Sequence, residues 1–292
     1  MRLVSLTLSP QYKEHDSERY FVIASLNEAN QQSRKEKTMR TKWKALSLIA
    51  TLIVFVGSAH ADELVSLKAG YQLLSPSGSV GLPVNGVGQK VDIENDLNLD
   101  DSKDLTAEIA LQWGNSRLSL NYLPIEFSGI GTLTVNGTFN GQAFSINDRV
   151  ESEISIDLYD LGYTYYLINM DDVPTRFQLG LELAVKVADA KVSINDQTQG
   201  FVESESGTAP IPTIGARTRI ALADFVGLSG RIGYLGYDGN HFLDADVQIE
   251  FSPVPMFGAY AGYRYFDLVV DESDIYIDTQ FSGPYVGLMA RF

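Results

Sequence analysis

The sequence predicts an all-β chain: a transmembrane, antiparallel, up-and-down β-barrel of ten strands, with eight or twelve as the alternatives. Three observations carry that expectation. Segments with alternating apolar residues recur along the chain, a secretory leader precedes them, and the last of them ends on a terminal phenylalanine. The clearest segment is Leu243 to Phe251, which places Leu243, Ala245, Val247, Ile249 and Phe251 on one face and Asp244, Asp246, Gln248 and Glu250 on the other. Side chains on a strand alternate with a period of two, so one face needs an apolar environment and the other a polar one. A sandwich would turn the apolar face inward. Recurrence after an export signal favours the barrel, apolar outside and polar inside.

Composition is consistent with this. The 292 residues include 11% aromatics, 25 Gly, 10 Pro and no Cys. Lack of cysteine excludes disulfides, zinc–thiolate sites and cysteine nucleophiles. Mean hydropathy is near zero, and after the leader no run reaches the roughly 18 apolar residues of a membrane helix. A strand barrel escapes that test because half of each strand faces the lumen.

Residues 39–61 read as a secretory leader: a basic start at Met39 to Lys44, an apolar middle, and Ala59-His60-Ala61, with cleavage expected after Ala61. Residues 1–38 are polar and unpatterned, which suggests translation from Met39 or a disordered extension. Residues 62–292 form the expected barrel domain. Residues 1–61 hold nine of the 22 Lys+Arg and five of the 37 Asp+Glu, which leaves 13 against 32 and a formal charge near −19. So acidic a chain lacks the basic footprint of nucleic-acid binding, and no nucleic-acid partner is expected.

The ten expected strands follow in order. Strand one, 63–74, faces Val65, Leu67, Ala69, Tyr71 and Leu73 outward and Lys68 inward. Strand two, 105–113, sends out Ala107, Ile109, Leu111 and Trp113, with Glu108 and Gln112 inside. A tight turn at Gly114-Asn115-Ser116 leads to strand three, 117–130, where Pro124 implies a bulge. Strand four, 150–167, changes apolar parity near Tyr159 and Asp160, which implies a second bulge. Strand five, 175–190, faces Phe177 to Val187 outward at alternate positions. Strands six, 212–222, seven, 226–237, eight, 243–251, and nine, 256–270, carry Arg217, Arg219, Arg231 and Arg264 inward, and strand ten ends at Phe292. Long outer connections are expected at 75–104, 131–149, 191–208 and 271–280, with one short outer link from Asp238 to His241.

The closing segment, Tyr285-Val-Gly-Leu-Met-Ala-Arg-Phe292, puts Val286, Leu288, Ala290 and Phe292 on one face. It resembles the last strand of the Gram-negative outer-membrane β-barrel superfamily, which typically ends in Phe. Ala290 departs from the aromatic often found at that position. The resemblance covers about residues 39–292 and identifies no particular member. It implies residence in the outer membrane after Sec export, contact with outer-membrane lipid and lipopolysaccharide, and recognition of the last strand by the barrel assembly machinery.

Two groups of candidate residues follow. An inward charge network comprises Lys68, Arg117, Lys186, Arg217, Arg219, Arg231, Arg264 and Arg291 against Glu108, Glu126, Asp157, Asp160, Glu182, Asp244, Asp246 and Glu250. A barrel of this size lined by paired charges leaves little free space. The expected lumen is therefore narrow or plugged by salt bridges, and the expected role is envelope-structural or surface-interacting. A narrow, porin-like passive channel for small solutes is the alternative. A membrane girdle comprises Trp113, Phe177, Phe225, Phe251, Phe257 and Phe292 at strand ends.

A third reading, a hydrolase at the extracellular rim, rests on His241 with Asp238 and Asp244 near it, because ten-stranded barrels of this superfamily include surface proteases built from His and Asp. No second acidic pair or nucleophile elbow is identifiable, so no enzyme activity, catalytic residue, metal or cofactor is expected. The acidic segment Asp92, Glu94, Asp96, Asp100 and Asp101 has some of the spacing of a calcium loop, but Leu97 stands where Gly is needed. Its apolar alternation fits a strand extension equally well, and divalent ions shared with anionic headgroups are a further expectation.

Overall fold

The computed structural model describes residues 65–292 apart from 85–86, 140, 171–175, 255 and 273–274. The expected leader and residues 1–38 lie outside the described residues. Thirteen strands follow in chain order: β1 (Val65–Val84), β2 (Val87–Asp92), β3 (Ser102–Trp113), β4 (Ser116–Thr132), β5 (Gly137–Phe139), β6 (Gln142–Phe144), β7 (Arg149–Met170), β8 (Phe177–Asp196), β9 (Phe201–Ala223), β10 (Val226–Tyr237), β11 (Asn240–Val254), β12 (Phe257–Glu272) and β13 (Ile275–Arg291). β1, β3, β4 and β7 to β13 pair antiparallel with their neighbours, and β13 pairs with β1. Ten strands thus close on themselves and leave no edge at the seam. There Val65 N donates to the Phe292 carbonyl (3.1 Å) and Phe292 N to the Val65 carbonyl (2.9 Å). β2 folds back on the far part of β1, and β5 with β6 forms a small separate hairpin.

The chain enters and leaves at one end of the ring, called here the terminal end, where short turns also lie. At the distal end several strands run well past the length a bilayer requires. β7, β8 and β9 contain 22, 20 and 23 residues, against ~9–11 for a tilted crossing. The expected outer connections at 191–208 and 271–280 are therefore mostly strand, as is the part of 75–104 that forms β1, β2 and β3. β10 and β11 stop earlier, at a two-residue turn with positive φ at Asp238 (49°) and Gly239 (85°). That backbone suits the twist of a two-residue hairpin, and Asp-Gly supplies it at low cost.

Neither expected bulge is present at its expected place. β7 pairs with β4 without a shift from Ser116↔Tyr165 to Thr132↔Arg149, through Pro124 and through Tyr159 and Asp160. Pro124 lies just past the last β3–β4 pair, Ala107↔Tyr122, and its free carbonyl accepts a hydrogen bond from Gln72 Nε2 (2.9 Å). On β7 the face does not change; its surroundings do. Leu161, Tyr163, Tyr165 and Leu167 are exposed on the outer face, whereas Ile154, Ile156 and Leu158 belong to the inner face and pack in a core.

The same reversal occurs on β8 and β12. On β8 the outer face runs Leu179, Leu181, Leu183, Val185, Val187 and then Asp189, Lys191, Ser193, Asn195, while the inner face runs Gln178, Glu182, Lys186 and then Ala188, Val192, Ile194. On β12 it falls between Tyr265 and Asp267 outside and between Arg264 and Phe266 inside. Asp157 pairs with Asp189 and Tyr159 with Val187, so the boundary is level across β7 and β8. On β7, β8 and β12 the barrel is apolar outside and polar inside toward the terminal end, and polar outside and apolar inside toward the distal end, whereas distal β9 keeps Glu203 and Glu205 on the inner face.

Candidate functional site

The lumen is the candidate site, and it is layered. Nearest the terminal end, Glu250 of β11 draws three cations from three other strands. Lys68 Nζ lies 3.1 Å from Oε1, Arg219 Nε lies 3.4 Å from Oε2, and Arg291 Nη2 donates to Oε2. Beside them Arg117 Nη2 donates to Glu108 Oε1 at 2.9 Å. One step further in, Glu182 Oε2 accepts from Arg217 Nε (2.7 Å) and from Thr164 Oγ1 (2.8 Å).

The next layer spans the interior. Arg231 donates through Nη1 to Asp160 Oδ2 (2.6 Å) and through Nη2 to Asp244 Oδ2 (2.7 Å). Lys186 Nζ reaches the same two carboxylates at 2.8 and 2.7 Å. These four side chains come from β7, β8, β10 and β11, and Asp160 and Lys186 are direct cross-strand partners. Lys186 and Asp160 are 1% and 0% exposed. Charges so deeply buried persist only when paired and hydrogen-bonded. Arg264 Nε stands 3.8 Å from Asp244 Oδ1 and 3.9 Å from Asp246 Oδ2, and Tyr285 OH donates to Asp246.

Tyrosines fill what the ions leave. Across the β12–β13 ladder the pairs are Tyr260↔Gly287 and Gly262↔Tyr285. A Cβ added at Gly262 would meet the Tyr285 ring, and one at Gly287 the Tyr260 ring. Each ring reaches over a residue without a side chain. The readable signal was an inward tyrosine opposite an inward glycine.

Toward the distal end the lumen becomes apolar. Leu74, Leu123, Ile125, Phe127, Leu158, Phe242 and Phe266 form one buried cluster, with Phe127 5.0 Å from Phe281 by ring centroids. The Arg264 guanidinium lies 5.4 Å over the Phe266 ring, which joins the ionic layer to the apolar one. Above it Val91, Leu97, Leu133, Phe144 and Val150 form a second cluster. The 93–100 turn lies across the inner face of β4: Leu99 bridges Gly129, and Asp100 N donates to the Ser128 carbonyl (2.9 Å). A Cβ at Gly129 or Gly131 would strike the backbone of 96–98.

The acidic segment holds this turn together. Asp92 Oδ1 accepts from the backbone N of Glu94 (2.9 Å) and Asn95 (2.8 Å), and Asp96 Oδ2 accepts from Asp92 N (2.9 Å). The Asn95 backbone hydrogen bond is the main cause that keeps the Asp92 carboxyl below its ordinary range. Two of the five carboxylates expected to share an ion, Asp92 and Asp96, thus accept from their own backbone, a local use typical of Asx turns. Among the described residues no group of three or more His, Cys, Asp and Glu is arranged to hold a metal.

Of the expected charge network, Lys68, Glu108, Arg117, Asp160, Glu182, Lys186, Arg217, Arg219, Arg231, Asp244, Asp246, Glu250, Arg264 and Arg291 converge in the lumen as described. Glu126 and Asp157 do not. They lie on the outer face, in step with Leu118, Leu120, Tyr159 and Leu161; Asp157 accepts from Tyr122 OH, and Tyr122 packs on Tyr159 at 5.1 Å. Their assignment inward assumed the parity change that the register excludes. Trp113, Phe225, Phe251 and Phe257 are exposed at terminal-end strand ends, with Phe225 and Phe251 edge to face at 5.9 Å, and Phe177 and Phe292 are half-buried at the same end.

His241 lies in β11 rather than in the turn. Its Nε2 is 3.5 Å from Asp267 Oδ2, and its ring stacks on Tyr234 at 6.3 Å, all on the outer wall. Asp244 is three residues away and thus on the opposite face, buried in the ionic layer. The expected grouping of His241 with Asp244 is not formed.

Comparison with solved structures supplies the fold's relatives. The outer membrane protease OmpT from Escherichia coli superposes with a TM-score of 0.58 at 10% identity, over 81% of this chain and 99% of that chain. The translocator domain of the autotransporter NalP from Neisseria meningitidis gives 0.41 at 14% identity, over 88% and 98%. Ail, the attachment invasion locus protein of Yersinia pestis, gives 0.33 at 10%, over 78% and 98%. No protein-family model matches the chain, and no curated protein matches it in sequence. Identity this low speaks to architecture alone. The chain shares the closed antiparallel barrel fold of that outer membrane protease.

Proposed function

We propose that the protein is an integral outer-membrane barrel with a sealed lumen, exported by the Sec pathway and cut after Ala61, and that its role is envelope-structural or surface-interacting rather than conductive or catalytic. The observation that carries this reading is the stack of obstructions in the lumen. The Arg231–Asp160–Lys186–Asp244 layer crosses it, two apolar clusters lie above, and the 93–100 turn caps them. An ion crossing that stack would have to separate buried charge pairs and then enter hydrocarbon, each costly.

The terminal end faces the periplasm and the distal end the exterior, in keeping with short periplasmic turns. Trp113, Phe177, Phe225, Phe251, Phe257 and Phe292 form the inner girdle. The outward tyrosines Tyr71, Tyr122, Tyr159, Tyr234 and Tyr265 mark the outer one, just below Glu126, Asp157, Asp189 and Asp267. Above that line the barrel stands in water as a rigid acidic extension beside the lipopolysaccharide, suited to contact with a surface partner. The Phe292 strand is the segment read by the barrel assembly machinery.

Single-channel recording in planar bilayers tests the sealed lumen. No steps are expected from the full barrel; reproducible steps that vanish on bulky substitution at Gly233 or Gly262 would establish the channel instead. The hydrolase reading draws on the OmpT likeness, but His241 and Asp267 lie on the outer wall, away from the lumen. Peptide hydrolysis by purified barrel that is lost with His241→Ala would revive it.

A further inference from the structure

The charge of the lumen is unevenly distributed. In the spanning layer Lys186, Arg231 and Arg264 face Asp160, Asp244 and Asp246, and the signs balance. Toward the periplasmic end Lys68, Arg117, Arg176, Arg217, Arg219 and Arg291 outnumber Glu108, Glu182, Asp224 and Glu250. Among the described side chains that border these clefts, an excess of two positive charges thus sits in one mouth of a strongly acidic protein. That mouth holds a cleft of about 440 Å³ bordered by Arg176, Arg219, Arg291 and Glu250. A narrower cleft continues inward past the same Arg219, Glu250 and Arg291 to Lys68, Arg117 and Arg217. The mouth is thus a recess, and a further cleft that shares Lys68 with it passes Asp246 and Arg264 to Leu123.

We propose that this recess is a binding site for a soluble periplasmic phosphoester or diphosphate. Three facts support that ligand class. Guanidinium groups match tetrahedral oxyanions with paired N–H donors in a fixed fork, and three of them border the cleft. The volume falls within the roughly 300–1,000 Å³ of small-molecule sites. Low-dielectric walls lined by one sign of charge focus the field and concentrate counter-ions at the mouth. The cationic side chains belong to the inner face of the strands and to the periplasmic turns, away from the lipid-facing wall, which favours a dissolved ligand over a headgroup.

Titration calorimetry with inorganic pyrophosphate tests this, using full-length barrel in phosphatidylcholine nanodiscs at low ionic strength. Saturable binding is expected. Arg176→Gln, at an exposed position outside the ion-pair network, should weaken it about tenfold, the scale of one charge-assisted hydrogen bond. Asp224→Asn, which removes a carboxylate from the rim, should tighten it, a gain that misfolding does not produce. Lys191→Gln, on the distal outer wall, should change nothing. Absence of saturable heat would overturn the proposal, as would equal affinity in Arg176→Gln, or equal weakening in Lys191→Gln. Loss of pyrophosphate binding on transfer to phosphatidylglycerol nanodiscs would overturn the soluble-ligand form of it, since a headgroup would then be the occupant.

Discussion

The two halves of the barrel are built from the same strands, with no register shift where one half passes into the other on β7, yet their polarity is opposite. On β7, Tyr159 to Leu167 present apolar residues outward with Asp160 and Thr164 inside, and Arg149 to Asp157 present Glu151 and Glu153 outward with Val150, Ile154 and Ile156 inside. The hydrogen-bond ladder with β4 passes from one regime to the other without a step. Alternation therefore states only that two environments exist. Which of them lies inside depends on the height at which hydrocarbon ends and water begins.

The deepest test of this contrast is to remove the ionic layer. Arg231→Ala leaves Asp160 and Asp244 with one cation between them, and loss of one partner of a buried charge pair costs about 3–5 kcal/mol. Denaturant unfolding in detergent should shift accordingly, and heat-modifiable gel migration should move to lower temperature. Phe127→Ala, fully buried in the distal cluster, should cost about 3–5 kcal/mol of local stability. Here hydrogen exchange should report opening of the distal segments while the membrane belt stays protected. A comparable loss of protection in both halves would show that they unfold as one unit.

A smaller effect separates the outer faces. Leu181 lies mid-belt and is 54% exposed; Leu181→Arg should cost about 2–4 kcal/mol in lipid, as expected for a cation near the bilayer midplane. On the same face of the same strand, Ser193→Arg should stay within about 0.5 kcal/mol, as for an ordinary surface change. Equal costs in a folding titration would place the lipid boundary elsewhere.

The smallest effect concerns the cap. The folded-state pKa of Asp92 is depressed by its backbone hydrogen bonds, so its contribution is present above the ordinary carboxylate range and lost as pH falls through the depressed value. Exchange of the 93–97 amides should accelerate in acid. Asp92→Asn should remove that acid dependence and leave the barrel's thermal transition in place.

Much of the belt was legible in the sequence. Leu243 to Phe251, the alternation of β8 up to Val187, and the inward arginines are a pattern of period two with one charged side, and in the structure Lys186, Arg231 and Asp244 meet on that side. Glu126 and Asp157 were misplaced for a definite reason. When apolar means outward along the whole chain, Ile154, Ile156 and Leu158 force a parity change that turns Asp157 inward, and the bulge expected at Pro124 does the same to Glu126; the β4–β7 ladder has neither. The Asp238–Gly239 turn was readable because its backbone requirement is local. The partner of His241 was not, because Asp267 comes from a neighbouring strand whose register no local signal sets.

The sequence by itself determined that the strands are two-faced, that the ring ends on Phe292, and that cations and anions both point to the interior. Only the tertiary structure decided which height each residue occupies, and thus that the lumen is ionic below and hydrophobic above. The physical reason is that side-chain alternation is a property of a single strand, whereas the solvent beyond each face, and the partners that neutralise a buried charge, come from strands far away in the chain.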